Sequence, residues 1–350
     1  SSFYTDMGAV FTRCGNLQQA EKCHRIADEI LTRVSDTINL ARLLSNMGVM
    51  HARNAHYYQA SANYLKALEL LEKLKDDENI ASIYQNMGEV MVLQNQFDKA
   101  VGYFNSSLNK YDEIGRLVPK AGVYLNLGQV YIELKQWDIA KLYLNKSFVI
   151  DTTYKIKDLE SIALKHLGIT YLRINELETA RRLVSAAVRI QQEHGYYHLI
   201  PESNSVLAEI YYELGNYQKA LDIIKITEPE VIKTSDDHLL AIILLLKSDI
   251  LAKTNQYQAA YEALKQSNII SDSIFNLEKS NGIMNLELAY QTEIKEKQID
   301  EFKFRDSLQN EQLKNKSVQI YLLVVSLIFL FFILSSLLFY VFRFVQITYI

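Results

Sequence analysis

The 350-residue sequence has little proline or glycine and almost no cysteine. It contains 3 Pro, 12 Gly and 2 Cys. Because proline and glycine interrupt helices and mark turns, their scarcity favours long helices over sheets with many turns. Cys14 and Cys23 are not part of a CxxC pair or of a second cluster. They therefore specify neither a zinc site nor a disulfide framework.

The chain also lacks an excess of positive charge and the common catalytic motifs. Its formal net charge of −4 provides no field that would gather nucleic-acid phosphates. It has no GxSxG, no GxGxxG and no phosphate loop, and its histidines form no HExxH pair. We therefore predict a protein that is not an enzyme and binds no nucleic acid, metal or cofactor. A catalytic output domain such as a histidine kinase would have to lie beyond residue 350.

A small residue recurs every 40 positions. The series is Gly8, Gly48, Gly88, Gly128, Gly168, Ala208 and Ser248. An alanine stands twelve residues after each of these, namely Ala20, Ala60, Ala100, Ala140, Ala180, Ala220 and Ala260. Small residues at both positions let two antiparallel helices approach closely while larger neighbours fill the gaps. The period therefore predicts stacked helical hairpins.

One unit resembles a known helical repeat. Residues 124–131, Tyr-Leu-Asn-Leu-Gly-Gln-Val-Tyr, continue to Trp-Asp-Ile-Ala at 137–140 and resemble a tetratricopeptide repeat. The resemblance implies an all-α, right-handed superhelix of about seven hairpins over residues 1–280: 1–40, 41–80, 81–120, 121–160, 161–200, 201–240 and 241–280. The family repeat has about 34 residues, so these units are expected to carry about one extra turn, as in kinesin light chains. The seventh unit has Lys247-Ser248 in place of Leu-Gly and resembles a terminal unit.

The three prolines agree with this register. Pro201 falls at the start of its unit, where a helix tolerates proline. Pro119 and Pro229 are predicted to lie in connections between hairpins, since proline inside a helix removes a hydrogen bond.

Residues 317–342 contain no charged side chain. These 26 residues exceed the roughly 20 that span a bilayer, and they are apolar all round, unlike the amphipathic helices of a solenoid. We predict one transmembrane helix here, followed by a tail at 343–350 that we expect to be truncated. Lys314 and Lys316 on one side and Arg343 on the other leave the orientation undecided.

The segment between the repeats and the predicted membrane helix, residues 281–316, is charged and favours helix. Its apolar residues are spaced too irregularly for a firm coiled coil. Two interpretations remain open. The segment is either a solvated helix that caps the solenoid or a signal helix through which the chain forms a homodimer.

The resemblance implies that the first helix of each hairpin lines a concave groove that binds a peptide or a protein. Position six of the repeat carries Asn46, Asn86 and Asn126. A ladder of amides can pair with the backbone of an extended peptide, although asparagine at this position is also simply common in the family. The other predicted groove residues are Arg42, Arg53, Gln85, Glu89, Gln129, Glu133, Lys165 and Arg173. With Glu202, Glu209 and Glu213 beyond them, the groove is predicted to pass from basic to acidic.

The order of repeats, charged helix and one membrane span is similar to that of membrane-anchored bacterial regulators. This similarity implies a single-pass protein of the bacterial cytoplasmic membrane with its repeats on the periplasmic side. The chain would be the sensor part of a signal-transduction or transcription regulator whose output domain is not in this chain. The alternative is a membrane-tethered scaffold that assembles a protein complex without signalling.

Overall fold

The computed structural model of the protein describes residues 2–34 and 36–274. These residues form helices and turns, and no strand occurs among them. The predicted charged helix, membrane helix and tail lie outside the described residues. Within the described residues, no helix has both the length and the apolar character needed to cross a bilayer.

The helices follow one another with short connections. They are α1 (Ser2–Arg13), α2 (Leu17–Val34), α3 (Thr37–Arg53), α4 (Tyr57–Leu74), α5 (Asp77–Leu93), α6 (Phe97–Glu113), α7 (Lys120–Glu133), α8 (Trp137–Tyr154), α9 (Lys157–Arg173), α10 (Leu177–Glu193), α11 (Ile200–Glu213), α12 (Tyr217–Thr234), α13 (Asp237–Lys253) and α14 (257–274). A turn of 3₁₀ helix, Tyr197–Leu199, precedes α11.

The odd-numbered helices, called first helices below, form one layer. Each packs against the second helix that follows it, and each hairpin packs against the next. From α1 to α13, every first helix also contacts the first helix of the next hairpin, whereas no such contact joins α2, α4, α6, α8, α10 and α12 to one another. In a curved stack, neighbouring helices contact each other on the inner side and lie apart on the outer side. The first helices therefore form the concave face.

The turns repeat every 20 residues. Each described turn contains one residue in the left-handed backbone region, with φ between 55° and 75°: Gly15, Ala55, Lys75, Asn95, Gly115, Lys135, Lys155, Asn175, Gly195, Gly215, Ser235 and Asn255. The next backbone N–H donates to the carbonyl five residues earlier, as from Gln96 to Met91 at 2.8 Å. This is the Schellman arrangement that ends helices. The same kind of turn thus closes each hairpin and connects it to the next.

The recurring glycine lies under a large side chain of the second helix, sixteen residues later. A Cβ atom on Gly48 would lie 2.4 Å from Tyr64 Cε1, and one on Gly128 would lie 2.5 Å from Leu144 Cδ2. In the first five hairpins these covering residues are almost completely buried: His24, Tyr64, Phe104, Leu144 and Val184. The recurring alanines are buried as well. The close approach of the helices thus depends on the glycine and on a covering residue that was not predicted from the sequence.

Polar side chains replace the Leu-Gly pair of the seventh hairpin. Ser248 Oγ donates a hydrogen bond to the carbonyl of Ala260 at 2.9 Å. Lys247 Nζ donates to Glu228 Oε2 at 2.6 Å. Leu264, at the covering position, is 38% exposed, whereas its counterparts are buried. Hydrogen bonds therefore take over part of the role that hydrocarbon packing has in the other hairpins.

Pro229 lies inside α12 and not in a connection, so this prediction was wrong. Proline removes one hydrogen bond from a helix. However, Val231 is buried beside Ile224 and Ile243, and it reaches that cluster only if α12 continues past the proline. Pro119 caps α7 and Pro201 lies in the first turn of α11, as predicted.

Candidate functional site

All predicted groove residues lie on four consecutive first helices. Helix α3 carries Arg42, Asn46 and Arg53; α5 carries Gln85, Asn86 and Glu89; α7 carries Asn126, Gln129 and Glu133; and α9 carries Lys165 and Arg173. Because the first helices form the concave face, the fold brings these residues to one layer. Lys165 is buried within it, Gln129 and Glu133 are exposed, and the three asparagines are half-buried.

Three of the four predicted basic residues are paired with carboxylates of the neighbouring first helix. The pairs and their nitrogen–oxygen distances are Arg42–Asp6, 3.5 Å; Lys165–Glu202, 2.5 Å; and Arg173–Glu209, 2.7 Å. The side chain of Lys165 is only 5% exposed. The fourth residue, Arg53, is exposed, and its Nη1 donates to the carbonyl of Thr12 at 3.5 Å. The positive charge predicted for this part of the groove is thus largely neutralised by the protein itself.

The three asparagines at position six differ in their hydrogen bonds. Asn126 Nδ2 donates to Glu89 Oε1 at 2.8 Å, and the same oxygen accepts from Gln85 Nε2 at 3.2 Å. The side-chain amides of Asn46 and Asn86 make no hydrogen bond to any other described residue. The asparagines of α3 and α5 are therefore available to a ligand, whereas that of α7 is already occupied.

Position nine of the preceding repeat explains this difference. Glu89 occupies that position before Asn126 and accepts its hydrogen bond. Before Asn46 and Asn86 the same position carries Ala9 and Val49, whose side chains have no acceptor. Two adjacent first helices thus present half-buried, unpaired amide groups.

Position six of the fifth repeat carries His166. Burial lowers the pKa of His166 well below its ordinary value, and the charge of Lys165 lowers it further. The imidazole is therefore neutral at physiological pH and, like an amide, has one donor and one acceptor. Position six thus stays polar and uncharged from the second to the fifth repeat.

The last described part of the concave face, on α13, was not among the predicted groove residues. On α13, Ile242 and Leu245 are 58% and 47% exposed. They occupy repeat positions two and five, the positions of Arg42 and Lys165 in earlier units, so the 40-residue register could have identified them. Among the described residues, no three His, Cys, Asp or Glu side chains converge as they would around a metal ion.

A stack of helical hairpins with a concave layer of first helices defines an α-α repeat protein. The family models that match the chain refine this class: both describe the tetratricopeptide repeat, over residues 39–113 and 121–152. The chain therefore contains tetratricopeptide repeats, as the sequence predicted. No curated protein matches it.

Several solved structures share the fold. The apo form of RapI superimposes with a TM-score of 0.64 at 16% identity, over 79% of this chain and 98% of RapI. A signal-transduction ATPase of the STAND class from Pyrococcus horikoshii, which has a tetratricopeptide repeat sensor, gives 0.60 at 16% identity, over 79% of this chain and 44% of that protein. A Rap protein in complex with competence and sporulation factor gives 0.54 at 14% identity, over 80% and 98%. At these identities the likeness shows the fold alone.

Proposed function

We propose that this chain is a peptide-binding or protein-binding module whose concave groove holds an extended segment of its partner. The observation that carries the proposal is the pair of half-buried, unpaired amides of Asn46 and Asn86 on adjacent first helices. Because neither amide is bonded within the described residues, a ligand can bond to both of them without breaking a hydrogen bond of the protein. A peptide backbone offers both the donor and the acceptor that such an amide needs.

The spacing of the helices suits an extended chain. Packed helices lie about 10 Å apart, which is the length of about three extended residues. A peptide that crosses α3 and α5 can therefore bond first to Asn46 and then to Asn86. The Rap protein bound to competence and sporulation factor and the Rap conjugation regulator bound to the Phr* peptide have the same kind of fold, which is consistent with this use of the groove.

Selection from a random eicosapeptide library with the full 350-residue chain tests the proposal, because about 20 extended residues are long enough to reach from α3 to α13. The affinity of a selected peptide is then measured by fluorescence anisotropy. Since each hydrogen bond contributes about 1 kcal/mol, we expect N46A/N86A to weaken binding about tenfold or more. N126A is the matched control, because its amide is already bonded to Glu89, and we expect it to weaken binding less than about threefold.

Two results would contradict the proposal. Equal losses in N126A and N46A/N86A would show that unpaired amides do not carry the binding. Failure of the chain to select any peptide would contradict the peptide-binding function itself.

The module is further proposed to be the sensor part of a bacterial signal-transduction or transcription regulator. Residues 317–342 would anchor it in the cytoplasmic membrane with its repeats on the periplasmic side, and residues 281–316 would relay the signal or form a homodimer. The uncharged length of 317–342 supports this arrangement. The alternative is a membrane-tethered scaffold without signalling, for which the repeats would lie in the cytoplasm.

Cysteine accessibility in intact cells distinguishes the two. A single cysteine replaces Asn175, which is exposed in the turn between α9 and α10, and Cys14 and Cys23 are replaced by serine. Labelling by an impermeant maleimide before lysis is the result expected for a periplasmic sensor. Labelling only after lysis would contradict it and favour the scaffold.

A further inference from the structure

The side chains between α11 and α13 differ from those between α9 and α11. Between α9 and α11, two ion pairs cross the concave face: Lys165–Glu202 and Arg173–Glu209. Adding 40 to each residue number gives the equivalent pairs between α11 and α13: Ser205–Ile242 and Glu213–Asp249. One ion pair is thus replaced by an aliphatic residue beside a serine, and the other by two carboxylates.

The aliphatic part of this surface is Ile242 with Leu245. Residues three apart on a helix share a face, and both side chains are about half exposed on α13. Large aliphatic groups are stabilised by burial, at roughly 25 cal/mol for each Å² removed from water. A partner that covers these two side chains would therefore gain affinity.

The charged part is Glu213 with Asp249. Both side chains are exposed, and neither forms an ion pair within the described residues. Their repeat positions are those of Arg173 and Glu209, whose side chains meet at 2.7 Å. The 40-residue register therefore places Glu213 and Asp249 opposite each other on α11 and α13, where two carboxylates favour a cation between them. Charge complementarity therefore selects a basic side chain as their partner.

We propose that the α11–α13 end of the groove binds a partner segment that carries one basic and one aliphatic side chain. The basic group lies between Glu213 and Asp249, and the aliphatic group packs on Ile242 and Leu245. This inference rests on the proposed peptide-binding function and adds the chemistry of the peptide to it.

The geometry also gives the spacing of the two side chains in the partner. A partner that crosses the first helices in turn, as from Asn46 to Asn86, covers each helix with about three extended residues. Both parts of the surface include a residue of α13, Leu245 in the aliphatic part and Asp249 in the charged part. The basic and aliphatic residues of the partner therefore lie within about three positions of each other. Asn46 and Asn86 would hold the backbone, and the α11–α13 end would select the side chains.

Peptide selection with charge and apolar variants of the full chain tests the inference. Peptides selected by the native chain should be enriched about threefold in Lys or Arg within three positions of Leu, Ile, Val or Met. E213Q/D249N should lose the enrichment in Lys and Arg but keep that in aliphatic residues, and I242S/L245S should do the reverse. E72Q/D98N removes two exposed carboxylates from the second helices α4 and α6 and should keep both enrichments. Circular dichroism checks that each variant is folded.

The outcomes separate this inference from the function on which it rests. Peptides without the basic and aliphatic pair, or peptides of unchanged composition from the variants, would overturn the inference. The peptide-binding function would still stand if N46A/N86A weakened the binding of these peptides. No selected peptide at all would overturn both. If the chain self-associates in sedimentation and I242S/L245S abolishes this, the surface belongs to a second copy, and the inference is wrong.

Discussion

The interior of the hairpins and the concave face use the same 40-residue period in different ways. In the interior, position eight is glycine in five successive repeats, and position twenty is alanine in all seven. On the concave face, position two changes from Arg42 to Glu202 to Ile242. Close packing requires a small residue at these two positions in every hairpin, whereas a groove residue is constrained only by its neighbours and by any ligand. Under the proposed function, the varied layer is therefore the part of the molecule that would distinguish one ligand from another.

The largest departure from an apolar interior is His24, a basic imidazole where the other hairpins carry Tyr, Phe, Leu, Val or Ile. Burial and, to a smaller extent, the nearby His51 lower the pKa of His24 to about 4. Neither of its ring nitrogens has a hydrogen-bond partner among the described residues. An unfolded histidine has a pKa of about 6.5, so the unfolded state binds the additional proton and stability falls as the pH falls from about 6.5 toward about 4, by up to about 3 kcal/mol.

We therefore predict that His24→Leu resists urea better than the native protein, and more so at pH 5 than at pH 7.5. Urea unfolding followed by circular dichroism measures the difference at each pH. A difference that is the same at both pH values would contradict the prediction.

Asp151 is a buried carboxyl group of the interior, at a position that carries Leu31 and Leu71 in the first two hairpins. It is completely buried, and burial raises its pKa to about 6 even though the Ser147 hydroxyl donates to it at 2.9 Å. Because the folded pKa exceeds the unfolded value, stability falls as the pH rises through about 6. We expect Asp151→Leu to raise the free energy of unfolding by about 2 kcal/mol at pH 7.5 and by less at pH 5. Urea titrations at both pH values measure this, and a larger gain at pH 5 would contradict it.

Two helical glycines allow the packing of the interior to be compared with a solvent-facing surface. A methyl group on Gly128 would overlap Leu144, whereas one on Gly102 would meet no atom within 4 Å. We expect Gly128→Ala to lower the free energy of unfolding by about 1–2 kcal/mol because of overpacking. Gly102→Ala should raise it by up to about 1 kcal/mol through helix propensity. Both are measured by urea unfolding, and changes of the same sign would show that position eight is not closely packed.

The smallest effect is expected on the concave face. Glu213→Arg places an arginine opposite Asp249, in the arrangement of Arg173 and Glu209. An exposed ion pair of this kind contributes less than about 1 kcal/mol and is weakened by salt. Urea unfolding at low and high salt should therefore show a small gain that high salt removes. A gain that persists in high salt would mean that hydrocarbon contacts, and not charge, produce it.

The sequence predicted the all-helical repeat fold because the requirement for small residues is the same in every hairpin. It did not reveal the residue that covers the glycine, because that position changes among His24, Tyr64, Phe104, Leu144 and Val184. Any large side chain that fills the space is sufficient there, so no residue type recurs.

The ion pairs of the groove were missed for a geometric reason. Arg42 and Asp6 are 36 residues apart, and Lys165 and Glu202 are 37 apart. Partners across neighbouring helices therefore occupy different repeat positions, so a comparison of equivalent positions does not bring them together. The sequence placed the predicted groove residues on the first helices but could not show which of them are already paired.

The turn that recurs every 20 residues has a consequence for how such a protein can change in length. Because the turn within a hairpin and the turn between hairpins end their helices in the same way, one whole hairpin can be removed and the chain rejoined through an unchanged turn. Loss of residues 81–120 would connect α4 to α7 and shorten the groove by about 10 Å, or about three residues of an extended partner. Duplication or loss of hairpins would thus adjust the length of the bound segment in equal steps, independently of the side chains that select it.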